Sequence, residues 1–312
     1  MTAPIPALAS TRAFRACLED TALWAPAVAA VLERHGWAGF RNRLTAGVGA
    51  TYPTFLHGDQ VIKLFGGHGS WRASFRAERA ALAAVAGIPG VAAPGLLAEG
   101  WLREGANPSW PYLVMTRMRG VPWGQADLSP ARKLRVAAEL GEQVRLLWSL
   151  RPDDVPALEP MPVPALVEAA ERSSLPARLI ARIGGFLAGL GPFGTAFVHS
   201  DLMHRHVFVA GGHLAGIIDW GDAALADPHY DLAELHLDLF DGDKALLGAF
   251  LEASGWQAGS DFAQKALALA LHRQAQGLMQ HRTMDVFHKL PHLLPPSGAT
   301  TLDQLANRLF AV

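Results

Sequence analysis

The sequence predicts an α+β fold with two lobes, a small β-rich amino-terminal lobe and a mainly helical carboxy-terminal lobe. β-prone runs concentrate in the first 118 residues, whereas segments with helical apolar spacing dominate after residue 125. Between them lies the stretch RGVPWG at 119–124, whose glycines and proline are typical of a connection. We therefore divide the chain into a lobe of residues 1–118, a linker of 119–124 and a lobe of 125–312.

Composition limits the function classes that remain. The 312 residues are 50% hydrophobic and carry a net charge of −1 without a basic stripe, which argues against nucleic acid as a partner. Mean hydropathy is +0.16, yet we find neither a long uncharged apolar run nor a signal peptide, so no membrane partner is expected. The single Cys17 permits no internal disulfide. We expect a cytoplasmic monomer.

The first lobe alternates strands with one internal helix. Alanine-rich amphipathic helices are predicted over 8–35, with an interruption near Pro26. The runs 54–57 and 61–65 flank Gly58-Asp59-Gln60, a composition typical of a tight hairpin. A helix over 70–86 and strands over 96–101 and 110–115 complete the lobe.

The second lobe contains one β-rich segment among helices. Val207–Ala210 and His213–Ile218 flank Gly211-Gly212 and predict a hairpin with a two-residue turn. Regular pairing places His206 opposite Ile217 and Asp219 level with His204. The predicted helices cover residues 132–150, 165–173, 176–190, 231–240, 244–254 and 262–282.

Acidic residues concentrate around this hairpin. Segment 201–243 contains nine Asp and Glu residues against one Arg and no Lys. This pattern indicates a metal or a cationic ligand, with a solvated acidic face as the alternative. The hairpin brings Asp201, His206 and Asp219 toward one volume, where a divalent cation or solvent would be needed to keep two carboxylates ionised.

The spacing of these residues matches a phosphoryl-transfer pattern. Protein kinases use H-R-D-x-x-x-x-N followed by D-F-G, and this chain has His199-Ser200-Asp201, His206 five residues after Asp201, and Asp219-Trp220-Gly221. Upstream, Lys63 lies on a predicted strand, and Glu78 lies on the following helix, where it would form an ion pair with Lys63. The order of the parts is the same as in kinases.

These motifs resemble the aminoglycoside phosphotransferase family, whose fold is protein-kinase-like. The resemblance covers about residues 40–245 and is carried by the segments FVHSDL at 197–202, IIDWGD at 217–222 and ADPHYDLA at 226–233. Shorter pieces at 61–66, 110–115 and 235–237 look like the hygromycin-B phosphotransferase branch. The resemblance implies transfer of the γ-phosphoryl group of ATP or GTP, with Mg²⁺, to a hydroxyl of a polycationic antibiotic.

The resemblance also implies a role for each candidate residue. Asp201 would take or orient the hydroxyl proton, and His199 would orient the catalytic loop. Asp231, at a predicted helix start, is interpreted as a structural anchor. The remaining expected sites are nucleotide binding by Lys63, Glu78, Gly47, Gly49, Met115 and Arg117, metal binding by Asp219 and His206, and substrate binding by Asp222, Glu234 and Asp238.

Two departures from the family pattern keep alternatives open. His206 replaces the usual Asn, although imidazole suits transition metals better than Mg²⁺. The loop 47–52 lacks the third glycine of the kinase pattern. A kinase of another small alcohol such as a macrolide, and a catalytically silent nucleotide-binding relative, are therefore the alternatives to an aminoglycoside kinase.

Overall fold

A computed structural model gives the architecture of the chain. It describes residues 5–6, 10–37, 44–48, 51–67, 69–103, 109–280, 284–293 and 298–312. Among these residues a five-stranded sheet forms the first lobe, and helices surrounding two small sheets form the second. This α+β architecture with two lobes confirms the predicted fold class.

The first lobe is built on an antiparallel sheet with strand order β1-β2-β3-β5-β4. The predicted hairpin pairs Thr54 with Lys63, and β5 continues the sheet by pairing Leu113 with Lys63 on the other side. Lys63 is therefore fixed on a central strand. The strands are β1 (Thr45–Ala46), β2 (Thr54–His57), β3 (Gln60–Leu64), β4 (Leu96–Arg103) and β5 (Trp110–Thr116).

Two leading helices, α1 (Thr11–Ala16) and α2 (Thr21–Arg34), cover this sheet. Trp24 and Phe14 are buried against Trp110, with ring centroids 5.5 Å and 6.3 Å from it. The expected interruption near Pro26 is wrong, because Pro26 lies within α2. The break falls before Asp20, whose side chain accepts from Leu23 N at 3.0 Å and caps the second helix.

Helix α3 (Trp71–Val85) packs beside the sheet and carries Glu78 on its buried face. The predicted linker then forms ordered structure. Its strand β6 (Val121–Pro122) pairs with a strand of the second lobe, and a 3₁₀ turn follows at Trp123–Gln125. Gly120 has φ +86°, and a Cβ there would lie 2.2 Å from Val209 O, so glycine permits this close approach.

Helices form most of the second lobe. The predicted helix over 176–190 is instead two short helices separated by a break at residues 181–182. The helix predicted over 231–240 is present as a short α-helix, Leu232–Glu234, that continues into a π-helical turn at Leu235–Leu239. The last described helix, α12, has no counterpart among the predicted elements. The helices are α4 (Pro130–Ser149), α5 (Val163–Glu171), α6 (Ala177–Ile180), α7 (Ile183–Ala188), α8 (Leu232–Glu234), α9 (Lys244–Ser254), α10 (Phe262–Met279), α11 (Leu290–Leu293) and α12 (Leu302–Phe310).

The strands of the second lobe bring the motif segments together. Strands β7 (Ala196–Val198) and β10 (Ala224–Ala226) pair with each other, while β6, β8 (Val207–Ala210) and β9 (His213–Ile217) form a second sheet. The hairpin and its Gly-Gly turn are confirmed, but the predicted register is wrong. A register shift at Phe208/Val209 pairs Val207, rather than His206, with Ile217, because β9 accommodates one extra residue.

No helix among the residues described is long and apolar enough to cross a membrane.

Candidate active site

The predicted catalytic loop leaves strand β7 at His199. The buried His199 ring donates from Nε2 to Ile218 O at 3.1 Å and accepts at Nδ1 from Asp201 N at 3.2 Å. Burial lowers the pKa of His199 to about 4, so the ring is neutral and can make both contacts. His199 thus ties the loop to the end of strand β9.

Ser200 gives the loop its sharp turn. It adopts φ +70°, a left-handed conformation that is costly for a residue with a Cβ. Its backbone N donates to Asp231 Oδ1 at 2.6 Å, and Asp231 is fully buried. Burial raises the pKa of Asp231 to about 7, against the opposing effect of the backbone N–H donors. Asp231 therefore anchors the loop from the start of α8.

Asp201, His206 and Asp219 come together, as the sequence predicts. His206 Nδ1 lies 3.4 Å from Asp201 Oδ2, and its Nε2 lies 3.3 Å from Asp219 Oδ2. Each of the three residues offers one potential ligand atom, and these three atoms lie within 4.8 Å of one another. The convergence places two carboxylates and one imidazole around a volume suited to one cation.

The hydrogen bonds of His206 show which ring nitrogen donates and which accepts. Its Nδ1 lies 2.9 Å from Asp201 O, and since a carbonyl can only accept, Nδ1 carries the hydrogen. Its Nε2 accepts from Arg205 Nε at 3.2 Å, so the single lone pair of that nitrogen is engaged by the guanidinium group. Nε2 lies 3.3 Å from Asp219 Oδ2 and could share a divalent cation with it once Arg205 moves off that nitrogen. The carboxylate suits Mg²⁺, and the imidazole also suits transition metals.

Lys63 faces the same volume from the first lobe. Its Nζ lies 2.5 Å from Glu78 Oε2 and 2.7 Å from Asp219 Oδ1. Burial alone would lower the pKa of Lys63, but Asp219 and Glu78 outweigh it and raise the pKa overall. Burial raises the pKa of Glu78 to about 7, although the Lys63 charge opposes this. The predicted lysine–glutamate pair is present.

A cavity of about 240 Å³ opens between the lobes beside Lys63. Met115 and Arg117 line it together with Val48 from the loop before β2. The backbone N of Arg117 donates to Asp59 O at 2.8 Å, so that N–H is already engaged. Gly47 donates to Thr54 O at 2.8 Å at the edge of the sheet, and Gly49 lies outside the described residues.

A second cavity, of about 360 Å³, opens on the other side of Asp201 and Asp219. The three predicted substrate-binding acids, Asp222, Glu234 and Asp238, line it, as do apolar side chains from Leu18, Met203, Met284 and Val286. Asp238 Oδ2 lies 2.6 Å from His204 Nδ1 and accepts from His204 N at 2.9 Å. A hydroxyl compound bound in this cavity would lie next to Asp201.

Sequence reasoning missed Arg273. This fully buried side chain of α10 donates from Nη2 to Asp201 Oδ1 at 2.7 Å and to Asp222 Oδ2 at 3.1 Å, and from Nε to Glu234 Oε1 at 3.3 Å. Its only signal in the sequence was an arginine that follows the apolar run 266–271 of a predicted helix, which a buried acidic partner would explain. No motif pointed to it.

The nine acids of segment 201–243 have partners within the fold. Besides those already described, Asp227 lies 2.5 Å from His229 Nδ1, Asp241 lies 2.9 Å from Lys289 Nζ, and Asp243 caps α9. The acidic residues of this segment are thus hydrogen-bonded or ion-paired by groups of the protein itself. The charge pattern of the sequence alone could not reveal this.

A lysine and two acids converge between two lobes, next to cavities of about 240 Å³ and 360 Å³. This arrangement, in a kinase-like fold, defines a phosphotransferase that acts on an alcohol group. The comparison with protein families agrees: the phosphotransferase enzyme family model, APH, matches residues 47–268, and the chain belongs to that family.

Solved structures share this fold. The GDP complex of wild-type aminoglycoside 2'-phosphotransferase-IIIa has a TM-score of 0.66 at 19% identity, over 84% of this chain and 94% of that one. Macrolide 2'-phosphotransferase MphH from Brachybacterium faecium has a TM-score of 0.55 at 18% identity, over 92% and 98%. Aminoglycoside phosphotransferase APH(3'')-Id from Streptomyces rimosus ATCC10970, with ADP and streptomycin, has 0.53 at 21%, over 80% and 98%. At these identities the likeness concerns the fold.

Proposed function

We propose that the protein transfers the γ-phosphoryl group of ATP or GTP to a hydroxyl of an aminoglycoside antibiotic, with hygromycin B as the expected acceptor. The observation that carries the proposal is the convergence of Lys63, Asp219 and Asp201 between the two cavities. The aminoglycoside and nucleotide complexes of proteins with the same fold support it. The short segments that look like the hygromycin-B branch favour that acceptor.

Each of these residues has a separate role in the proposed reaction. Asp201 accepts the hydroxyl proton as the acceptor oxygen attacks the γ-phosphorus, and Lys63 contacts the α- and β-phosphates. Backbone around Met115 and Arg117 contacts the base, and Glu78 positions Lys63. Because phosphoryl transfer has a loose transition state, positioning and charge neutralisation supply most of the catalysis.

A divalent cation completes the proposed site. Asp219 and His206 would hold Mg²⁺, since Asp219 Oδ2 lies 3.3 Å from His206 Nε2, which would exchange its contact with Arg205 for the ion. When bound, the ion would neutralise charge on the triphosphate. Lys63, which shares the Asp219 carboxylate, would then contact phosphate oxygens instead.

A macrolide-like acceptor is the second candidate. Asp222 and Glu234 already pair with Arg273, so fewer carboxylates remain to neutralise a polycation. Several apolar side chains also line the acceptor cavity. These observations favour an acceptor with little positive charge, and they make acceptor charge the variable to test. We further propose that the protein acts as a cytoplasmic monomer on a small molecule, without nucleic-acid or membrane partners.

Product formation decides between these acceptors. The protein is incubated with ATP or GTP, Mg²⁺ and either hygromycin B, another aminoglycoside or a macrolide, and phosphorylated product is detected by mass spectrometry. Product with hygromycin B supports the proposal. Product with the macrolide alone supports the macrolide-like acceptor instead. No product with any acceptor, alongside intact nucleotide binding, identifies a catalytically silent relative and contradicts both.

A further inference from the structure

Arg273 is the one described arginine that joins Asp201 to two other acids. It extends from the middle of α10 and contacts Asp201 in the catalytic loop, Asp222 after strand β9 and Glu234 in α8. The side chains of all four residues are less than a tenth exposed. Three separate segments of the active site are thus held by one guanidinium group.

This contact fixes the two oxygens of Asp201 in different environments. Oδ1 accepts from Arg273 Nη2 at 2.7 Å. Oδ2 lies 3.4 Å from His206 Nδ1, but the hydrogen on that nitrogen is directed to Asp201 O at 2.9 Å. Oδ2 is therefore the oxygen left to receive a proton from an acceptor.

We infer that Arg273 is a positioning residue for phosphoryl transfer, which holds the Asp201 carboxylate by Oδ1 so that Oδ2 faces the acceptor hydroxyl. The inference rests on the proposed function, in which Asp201 takes the hydroxyl proton. That proton passes to Oδ2 while the acceptor oxygen bonds to the γ-phosphorus. The bond from the γ-phosphorus to its bridging oxygen breaks, and the nucleoside diphosphate leaves.

The other two acids keep the guanidinium in place. Glu234 accepts from Nε and Asp222 from Nη2, so the planar group is held at two of its nitrogens. Burial alone would lower the pKa of Arg273, but Asp222, Asp201 and Glu234 raise it overall, so the positive charge persists. A lysine would supply the charge without the planar arrangement of donors.

Two substitutions separate positioning from stability. Arg273→Gln removes the charge, and Arg273→Lys keeps it while losing the planar donors. We expect kcat per nucleotide-binding site to fall about 100-fold in Arg273→Gln, because a small misplacement of a reacting group has that effect. The KM for the nucleotide should change less than about threefold, since Lys63 and the nucleotide cavity are untouched, and Arg273→Lys should be intermediate.

The control substitution removes another cation from the same helix. Lys265→Gln breaks a 3.0 Å pair with Asp261 on the first turn of α10, away from the two cavities. It should leave kcat unchanged. Unchanged kcat per binding site in both Arg273 variants would overturn the inference, as would equal losses in kcat and in nucleotide affinity, which indicate a structural role.

A crystal structure of the unsubstituted protein with a nonhydrolysable nucleotide and Mg²⁺ gives a result that needs no acceptor and no folded variant. We expect Arg273 Nη2 to remain within hydrogen-bonding distance of Asp201 Oδ1, with Oδ2 toward the acceptor cavity. Separation of Arg273 from Asp201 in that structure overturns the inference. If the contact persists but no acceptor is phosphorylated, the proposed function fails and the positional assignment of Arg273 stands.

Discussion

At the scale of single residues, Asp201 is the group on which the proposed chemistry depends. Its substitution by Asn keeps a hydrogen-bond acceptor for Arg273 and the shape of the side chain but removes the base. We expect Asp201→Asn to lower kcat about 1,000-fold, as general-base removal does, with little change in nucleotide affinity. Steady-state kinetics and nucleotide titration measure the two effects.

The matched control for this substitution is Asp241→Asn. Asp241 lies in the same acidic segment but pairs with Lys289 at the surface, and asparagine tolerates its φ of +54°. Turnover of this variant should equal that of the unsubstituted protein. Turnover preserved in Asp201→Asn would remove Asp201 from the role of base.

The conformation of Ser200 in the catalytic loop lowers the stability of the folded protein. It combines φ +70° with a buried Oγ that has no hydrogen-bond partner among the residues described. Ser200→Gly removes both the strained Cβ and the unpaired hydroxyl. The free energy gained exceeds the entropic cost of ordering a glycine, so we expect the free energy of unfolding to rise by about 1 kcal/mol. Denaturant titration measures it.

Ser200→Ala separates the two contributions to this effect. Alanine removes the hydroxyl but keeps a Cβ at positive φ. It should be less stable than Ser200→Gly. An alanine variant as stable as the glycine variant would show that backbone strain at this position is negligible.

At the scale of elements, the contact between α4 and α9 depends on a glycine. A Cβ at Gly141 in α4 would lie 2.4 Å from Phe250 O, a backbone atom of α9 that cannot move alone. Gly141→Ala should therefore lower the free energy of unfolding by about 2 kcal/mol. Thermal or denaturant unfolding provides the measurement.

At Gly248 in α9 we expect alanine to have the opposite effect on stability. A Cβ there meets no described atom within 4 Å, so alanine adds helix propensity without a clash. Gly248→Ala should raise the free energy of unfolding by about 1 kcal/mol. If both alanine variants shift stability in the same direction, the account of this helix contact is wrong.

The turn after α8 contains a titratable contact with the last helix. His236 Nε2 donates to Leu309 O at 2.8 Å, and burial lowers the pKa of this histidine from 6.5 to about 4, with Lys244 lowering it further and Asp243 opposing. Between these values the unfolded chain binds the proton and the folded chain does not. Stability is therefore lost as pH falls from 6.5 toward 4.

His236→Gln keeps the hydrogen-bond donor and removes the titration. The stability advantage of the unsubstituted protein over this variant should shrink by about 3 kcal/mol between pH 7.5 and pH 4. Urea unfolding at a series of pH values measures this difference. A difference that does not depend on pH would contradict the account.

At the scale of the whole molecule, local patterns predicted most of the fold and the motif residues. The spacing of Asp201, His206 and Asp219 around a Gly-Gly turn was enough to predict their convergence, because hairpin geometry is local. The predicted register was wrong because it assumed regular pairing, although Gly216, a glycine within β9 beside the extra residue, is typical of a bulge. The two short helices between residues 177 and 188 show how local breaks escape a periodicity argument.

The contacts of the site that the sequence did not predict join residues far apart in the chain. Arg273 lies 72 residues after Asp201, and nothing in the sequence linked the two. The acids of segment 201–243 were therefore assigned to an external cation, although Asp222 and Glu234 have an internal one. Charge composition predicts that partners are needed, but only the packing of α10 identifies them.

Nucleotide binding with and without a divalent cation tests the central claim, that Lys63 and Asp219 hold a triphosphate and its metal between the lobes. Calorimetric titration uses a nonhydrolysable nucleotide, with Asp219→Asn as the comparison. The account expects Mg²⁺ or Mn²⁺ to tighten binding to the unsubstituted protein at least about tenfold, or about 1.4 kcal/mol, and to have little effect on Asp219→Asn. Equal affinity with and without metal in the unsubstituted protein, or the same metal effect in both proteins, would contradict it.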